Sequence, residues 1–370
     1  MELVVRKNDL LRELQLFQGI VERKNTIPIL ANVLMEAKGD QVSFLATDLE
    51  VGLRSMCKAA VAKGGSLTLP AKKFYEIVKS LPDTDIRIAD DKNGVKIAAD
   101  RFESRMQTLP REDFPSLPEP GGAATAALAR SAVKEMVAKT SFAITGEDTR
   151  YFLNGALFVL RPGDMSLVAT DGHRLALVNM TRDGGPKAAD EVKAILPKKT
   201  LGELGRLLME GDGGDISYER GENHLFFDAG GRLLISRMID GQFPAYERVI
   251  PKGNDKHIEF ERDRLTNAVK RVQILSNERS RAVKIQIDKG KVEITSSSPD
   301  IGEARETLPV DYSGSSMQIC FNAQYVIDFL SAVTTDIVSL DLKDEVSQAV
   351  MKPVGAEGYD YTYVIMPMRV

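Results

Sequence analysis

Apolar and polar positions along this chain follow a scheme that is written three times. A charged segment with apolar residues at helical spacing, followed by an apolar strand, opens each third, at residues 10–36, 128–159 and 260–287. Leu10, Leu11, Leu14, Phe17 and Val21 fall three and four apart, as do Leu265, Ala268, Val269 and Val272, the spacing that gathers side chains on one helix face. Strand pairs follow from Gly39, Gly163 and Gly290, with short apolar or alternating runs at 42–47, 166–170 and 292–295. A second strand-to-helix unit comes next, at Leu67 to Pro70, Ala194 to Pro197 and Gln318 to Phe321. Thr47, Thr170 and Ser296 are equivalent points, as are Pro70, Pro197 and Asn322; they recur about 125 residues apart.

The pattern predicts helices over 8–24, 70–81, 129–142, 197–210, 261–279 and 322–333. Each third then holds two helices and roughly eight strands, an α+β domain used three times. Asn93-Gly94 carries a hairpin signal. The Pro- and Gly-rich stretch 115–127 and the segment 251–255 read as linkers. They divide the chain into domains 1–119, 127–251 and 252–370.

Composition changes this picture little. The chain has 370 residues, 43% hydrophobic and 28% charged, with no apolar run near the roughly 18 residues that span a bilayer. Charges at the N-terminus stand where a signal peptide has its apolar core, so a cytoplasmic protein is expected. Cys57 and Cys320 lie in apolar runs and fit packed thiols of a reducing compartment.

Charge distribution is more informative than the net of −4. The predicted helices hold 17 Lys/Arg against 11 Asp/Glu, whereas the remainder holds 32 against 42. Lys72-Lys73, Lys198-Lys199 and Arg262 with Arg264 stand at helix starts, where the macrodipole disfavours cations. A basic helical surface in an acidic protein suits sequence-independent phosphate contacts; solvated helix faces are the plainer explanation. The absence of tryptophan and only 6% aromatics argue against stacking on single strands.

Candidate chemistry is sparse. Asp171-Gly172-His173-Arg174 pairs an acid with a histidine, but no G-x-S-x-G elbow, H-E-x-x-H helix or P-loop accompanies it. Gly211-Asp212-Gly213-Gly214 reads as a turn. Asp48 and Asp171 occupy equivalent repeat positions, which fits a repeated turn cap; a metal-dependent nuclease or transferase using both is the alternative.

Seven ordered motifs settle on one resemblance. They are Thr26-Ile27-Pro28-Ile29-Leu30, Ala46 to Glu50, Leu69 to Phe74, Arg150 to Gly155, Ala169 to Ala176, Ile274 to Glu278 and Tyr363 to Val370. Together they resemble the beta sliding clamp of bacterial DNA polymerase III over essentially the whole chain.

The resemblance implies a DNA clamp fold, with helices lining a central channel and antiparallel sheets outside. It implies a non-catalytic processivity factor without metal or cofactor, a head-to-tail homodimeric ring around double-stranded DNA. DNA polymerases, the clamp loader and repair proteins would dock by short linear motifs in a pocket. Leu153, Thr170, Gly172, His173, Arg174 and Leu175 match that pocket, with Pro244, Arg248 and Val249. Asn322, Tyr325, Val346, Met366, Pro367, Met368 and Arg369 complete it, Arg174 and Arg248 being placed to frame an acidic or carbonyl-rich peptide. Gln348 departs from familiar clamps at the pocket edge. For DNA the match points to Lys24, Lys72, Lys73, Lys79, Arg150, Tyr151, Lys198 and Lys199. For the dimer seam it points to Ile274 and Leu275 against the region from Arg101 to Met106, with Glu303 and Glu306 facing Arg101 and Arg105.

Overall fold

In the computed structural model, residues 1–21, 26–91, 94–122, 125–182, 191–210 and 214–369 are described. Lys24, Asn93 and Gly211 to Gly213, singled out above, lie outside them. The described residues form six α-helices, two in each third: α1 (Lys7–Leu16), α2 (Ala71–Ser80), α3 (Arg130–Thr140), α4 (Lys198–Met209), α5 (Arg262–Val272) and α6 (Ala323–Ala332). Their strands number nine, eight and eight in the successive thirds, and every strand pairing among them is antiparallel. Over the observed helices Lys/Arg outnumber Asp/Glu by 15 to 7, so the basic bias is sharper than the predicted ranges gave. No helix among the described residues is long and apolar enough to cross a membrane.

Two helices stop earlier than their apolar spacing predicts. α1 ends at Leu16, and the Phe17 carbonyl accepts the N–H groups of Ile20 and Val21. The break falls beside Gly19, where a Cβ would collide with the Glu203 and Arg206 side chains. α5 ends at Val272 because Ser276 returns both its N–H (3.0 Å) and its hydroxyl (2.7 Å) to the Gln273 carbonyl. Ile274 and Leu275 therefore stand in a 3-10 turn.

The chain forms two compact units, and the middle third is divided between them. The first comprises 1–134 and 199–238. Its larger sheet has eight strands: Ala126–Ala129, Asp215–Arg220, His224–Asp228, Leu233–Arg237, Val51–Lys58, Gln41–Thr47, Asn32–Lys38 and Gly65–Pro70. Strands from the first and middle thirds meet where Leu233 to Ser236 pair with Arg54 to Val51. Gly52 in this seam gives room to Leu117, whose Cδ1 lies 2.5 Å from where a Cβ would stand. The linker expected from Pro115 onward is thus anchored, and Arg54 clamps Glu119 with two bonds of 2.8 and 2.5 Å. A five-stranded sheet ends on an edge strand, Phe102–Met106.

The second unit comprises 135–198 and 239–370. Its eight-stranded sheet runs Val192–Pro197, Gly155–Leu160, Asp164–Thr170, Arg174–Thr181, Tyr359–Ile365, Ala349–Pro353, Ile337–Leu342 and Lys256–Glu261. Here the middle and last thirds join, Arg174 opposite Ile365 and Met180 opposite Tyr359. Six of the eight residues of Arg174–Thr181 are fully buried, as expected of a central strand covered on both faces. A four-stranded sheet ends on the edge strand Gly302–Pro309. Lys139 is buried here with its charge answered: Nζ donates to the Ala332 carbonyl (3.1 Å), pairs with Glu135 (3.3 Å) and lies 4.6 Å from the Tyr359 ring centroid.

Both cysteines are free and buried, and burial pushes the Cys57 thiol up to about 12. The first unit also buries Glu13, whose carboxylate accepts bonds of 3.0 and 2.6 Å from Arg232. Removing one partner of such a pair strands the other charge away from water. Arg232→Ala should therefore lower stability by about 3–5 kcal/mol in urea unfolding. The double variant Glu13→Leu with Arg232→Leu should recover most of that; equal losses in both would show that the pair is not the cause.

Candidate functional site

Two tight turns repeat a single design. In the first third, Thr47 Oγ1 donates to the Val51 carbonyl (3.0 Å), while Asp48 Oδ1 accepts the N–H groups of Glu50 (2.9 Å) and Val51 (2.7 Å). In the middle third, Thr170 Oγ1 donates to the Arg174 carbonyl (2.7 Å), and Asp171 Oδ1 accepts from His173 (2.9 Å) and Arg174 (3.0 Å). The expected turn-capping role of both aspartates is thus realised, and it occupies the oxygens a nuclease would need free. Their second oxygens are also engaged: Asp48 with Lys199, Asp171 with Arg174 Nε at 3.0 Å. The last third departs from the design, since Ser296 donates to the Val272 carbonyl. Among the described residues no three His, Cys, Asp or Glu gather as a metal site.

Beside the second turn lies a cleft of about 250 Å³. Nine of the expected pocket residues line it: Leu153, Thr170, Gly172, His173, Arg174, Leu175, Pro244, Val249 and Met366. Phe152, Tyr246 and Val364 join them, as does Arg150, which was assigned to DNA. Their signal was present in the flanking motifs: Phe152 sits inside the Arg150 to Gly155 motif and Val364 inside the terminal one. Arg150 turns its guanidinium onto Asp148 (3.0 and 2.8 Å), whose carboxyl those bonds hold down at about 2. The cleft wall is continuous with the core of Leu157, Leu175, Leu177, Ile195, Phe243 and Tyr246.

The other seven expected residues do not line this cleft and sit in different settings. Tyr325 stacks on His173, centroids 6.4 Å apart, and Asn322 caps α6 by accepting the Gln324 N–H at 2.9 Å. The terminal segment is fastened on both sides, Met366 N–H to the His173 carbonyl (2.9 Å) and Met368 N–H to the Cys320 carbonyl (2.7 Å). Pro367 is half-buried between these two anchors, and Arg369 beyond them is exposed. Val346 is 63% exposed in a turn closed by Asp344, and Arg248 is exposed on a 3-10 turn.

Arg174 differs from expectation. It is 9% exposed, and its guanidinium donates to Asp171 (3.0 Å), Asp328 (2.5 Å) and the Phe142 carbonyl (2.7 Å). Tyr325 and Phe142 cover its faces at 4.3 and 5.3 Å. Burial opposes its charge, but Tyr363, Asp328 and Asp171 outweigh that and raise its pKa above the usual arginine value. With a bond from each of its three nitrogens and rings beside it, it braces the wall that it lines.

The cations assigned to DNA fall into two sets. Lys73 is exposed and paired with Glu76 (2.7 Å), Lys79 lies 5.6 Å from the Tyr75 ring centroid, and Lys72 is half-buried on the same helix. Tyr151 is 75% exposed, and Lys198 is exposed while reaching the Ile144 carbonyl (3.1 Å). Lys199 instead spends its ammonium internally, on Asp48 and the Ile20 carbonyl. At the expected seam, Ile274 is 71% exposed and Leu275 half-buried. Arg101 and Glu303 are exposed. Met106 is buried at 9% and packs inward, Arg105 pairs with Asp91 (2.5 Å), and Glu306 is already held by Arg271 (2.5 and 2.8 Å). Phe102, within the 101–106 stretch, is exposed, as is Ile301.

A thrice-repeated α+β chain with an apolar cleft walled by a capped turn and a pinned terminal segment has the features of a docking protein. Comparison with known proteins gives the family. Models of the DNA polymerase III beta subunit match in order: its N-terminal domain over 1–118, central domain over 127–245 and C-terminal domain over 247–369. The Beta sliding clamp of Pseudomonas putida is 40% identical over 373 residues, all of both chains. The crystal structure of the Pseudomonas aeruginosa subunit beta covers both chains fully at 37% identity, with a TM-score of 0.93. A second structure of that protein, bound to griselimycin, superposes equally well. The chain belongs to the DNA polymerase III beta subunit family, the beta sliding clamps, which are non-catalytic processivity subunits. That finding sets aside the nuclease or transferase alternative.

The twin turns differ at one position. Gly172 has φ +86°, which glycine adopts freely, whereas its counterpart Leu49 is held at φ 80° and is 50% exposed. Leu49→Gly should stabilise the protein by about 1 kcal/mol by removing this strain, and Gly172→Leu should cost about 1–2 kcal/mol. Chemical denaturation checks both; destabilisation by Leu49→Gly would show that its side chain contributes more than its backbone costs.

Proposed function

We propose that two copies of this chain close head to tail into a ring around double-stranded DNA, and that the cleft beside Gly172 docks short linear segments of DNA polymerases, the clamp loader and repair proteins. The chain would work in the cytoplasm, without cofactor, as three domains: 1–119, 127–251 and 252–370. The cleft carries this reading. It is apolar, pre-formed and built from segments far apart in sequence, as ligand sites are. A relative crystallised with griselimycin supports a cleft that accepts ligands in this family. Its small footprint suits micromolar, exchangeable partners.

Ring closure supplies topological retention, so DNA contacts can stay weak and sequence-independent. The basic helices suit that role, with Lys72, Lys73, Lys79, Arg150, Tyr151 and Lys198 as the contact set. Two edge strands, Phe102–Met106 and Gly302–Pro309, offer unpaired backbone for a heterologous contact between copies. Exposed Phe102, Ile274 and Ile301 give that seam its apolar centre, and Arg101 and Glu303 its rim.

Deleting residues 366–370 removes the terminal segment whose Met366 and Met368 are fastened to His173 and Cys320. Griselimycin, and a labelled peptide copying the tail of the replicative polymerase, should each bind the intact chain by calorimetry or fluorescence polarisation. Both should weaken at least about tenfold in the truncated chain, a loss of about 1.4 kcal/mol. Unchanged affinity in a folded, dimeric truncation would sink the pocket assignment.

The DNA interaction has a separate test. Changing Lys72, Lys73 and Lys198 together to Ala should flatten the dependence of log K on log salt by about 0.9 for each phosphate that is no longer neutralised. Lys199→Ala should leave that slope alone and lower stability instead, because its ammonium serves the Asp48 turn. An unchanged slope in the triple variant would place these lysines away from DNA.

A further inference from the structure

Asp328 lines no part of the cleft, and no sequence motif pointed to it, yet two features of the cleft depend on it. It sits on α6, three residues after Tyr325 and four after Gln324, so all three share one helix face. Its Oδ1 accepts the Gln324 side-chain amide at 2.8 Å, and its Oδ2 accepts Arg174 Nη1 at 2.5 Å. Gln324 thus fixes the carboxylate, and the carboxylate ties the Arg174 guanidinium to α6. Phe142, Arg174, Tyr325 and His173 then form a continuous stack, with separations of 5.3, 4.3 and 6.4 Å. The outermost ring, His173, is a wall of the cleft, and its own carbonyl holds Met366, another wall.

We infer that Asp328 is a positioning residue for the cleft: through Arg174 it sets the Tyr325 ring, and through that ring His173, in the arrangement a ligand meets. Asp171 alone can neutralise Arg174, but it reaches only Nε, and the Phe142 carbonyl only Nη2; neither belongs to α6. Without Asp328 the guanidinium keeps both of those partners but loses the bond that ties it to α6, the helix that carries Tyr325. The stack then has several settings, and a ligand must select one, which weakens binding by the fraction of chains in the competent setting. This rests on the docking role proposed for the cleft.

The experiment uses the full chain with Asp328→Ala, Asp328→Asn and Asp328→Glu. Griselimycin and the polymerase-tail peptide are the probes, and 3-fluorotyrosine is incorporated so that Tyr325 is seen by fluorine NMR. Tyr325→Phe assigns its signal. Asp328→Ala should weaken both probes about tenfold, Asp328→Asn less, and Asp328→Glu least. In the free Ala variant the Tyr325 signal should shift or broaden, and saturating griselimycin should return it to the wild-type bound position. Should the Ala variant not fold, the Asn variant carries the same comparison. Wild-type affinity with a displaced Tyr325 signal overturns the inference, as does weakened binding with that signal unmoved. Failure of both probes to bind the wild-type chain overturns the docking role itself, and this inference with it.

Discussion

The antiparallel pairing of Arg174–Thr181 with Tyr359–Ile365 is the interaction on which the functional part of this molecule depends. Those strands lie about 185 residues apart in the chain, and their main-chain ladder joins the middle third to the last. Because register is fixed residue by residue, Arg174 must stand opposite Ile365, and the chain leaving the ladder must bring Met366 beside His173. A slip of one residue would turn Leu175 and Val364 away from the cleft together. Both strands are buried on both faces over most of their length, so a slip would misplace side chains packed on either side of the sheet.

On this backbone frame, the turn at 170–174 is set by short polar side chains rather than by packing. Thr170 and Asp171 satisfy four main-chain groups that a tight turn would otherwise leave open. The same device at Thr47 and Asp48 is repeated in the first third, but the two turns have diverged in what they hold. Asp48 reaches Lys199, a cation at the start of α4; Asp171 reaches Arg174, which passes the connection on to α6. One repeated turn thus supports two junctions between successive thirds, and the cleft described here flanks the second of them. At the first, Gly52 stands where the second has Leu175, and Leu117 fills the space above it.

Charge in this protein is used locally. Most cations on the helices have an acidic or carbonyl partner within bonding distance, yet the helical surplus persists because acids are concentrated elsewhere in the chain. A surface of this kind attracts phosphate without reading bases, and side chains such as Lys73 can exchange a weak exposed partner for a phosphate at little cost. Lys199 and Arg174 cannot, because their partners are buried with them.

The sequence by itself determined the architecture: three repeats, two helices in each, and the strand runs between them, because hydrophobic period is a local property of the chain. It also determined the turn-capping role of Asp48 and Asp171, since the capping bonds of a Thr-Asp pair before a strand reach only near neighbours. Nine residues that line the cleft were legible through the family resemblance, on four short segments at 153, 170–175, 244–249 and 366. Only the tertiary structure decided the rest. Helix ends at Leu16 and Val272 depended on Gly19's surroundings and on Ser276 folding back, neither of which periodicity encodes. The partition of the middle third between two units followed from strand pairing across repeats, which involves residues with no local signal for one another. The use of Arg174 to brace the wall that it lines depended on Asp328, 154 residues away. A side chain's type is written in the sequence; whether its charge is left for a ligand is decided by which partner the fold brings within 3 Å of it.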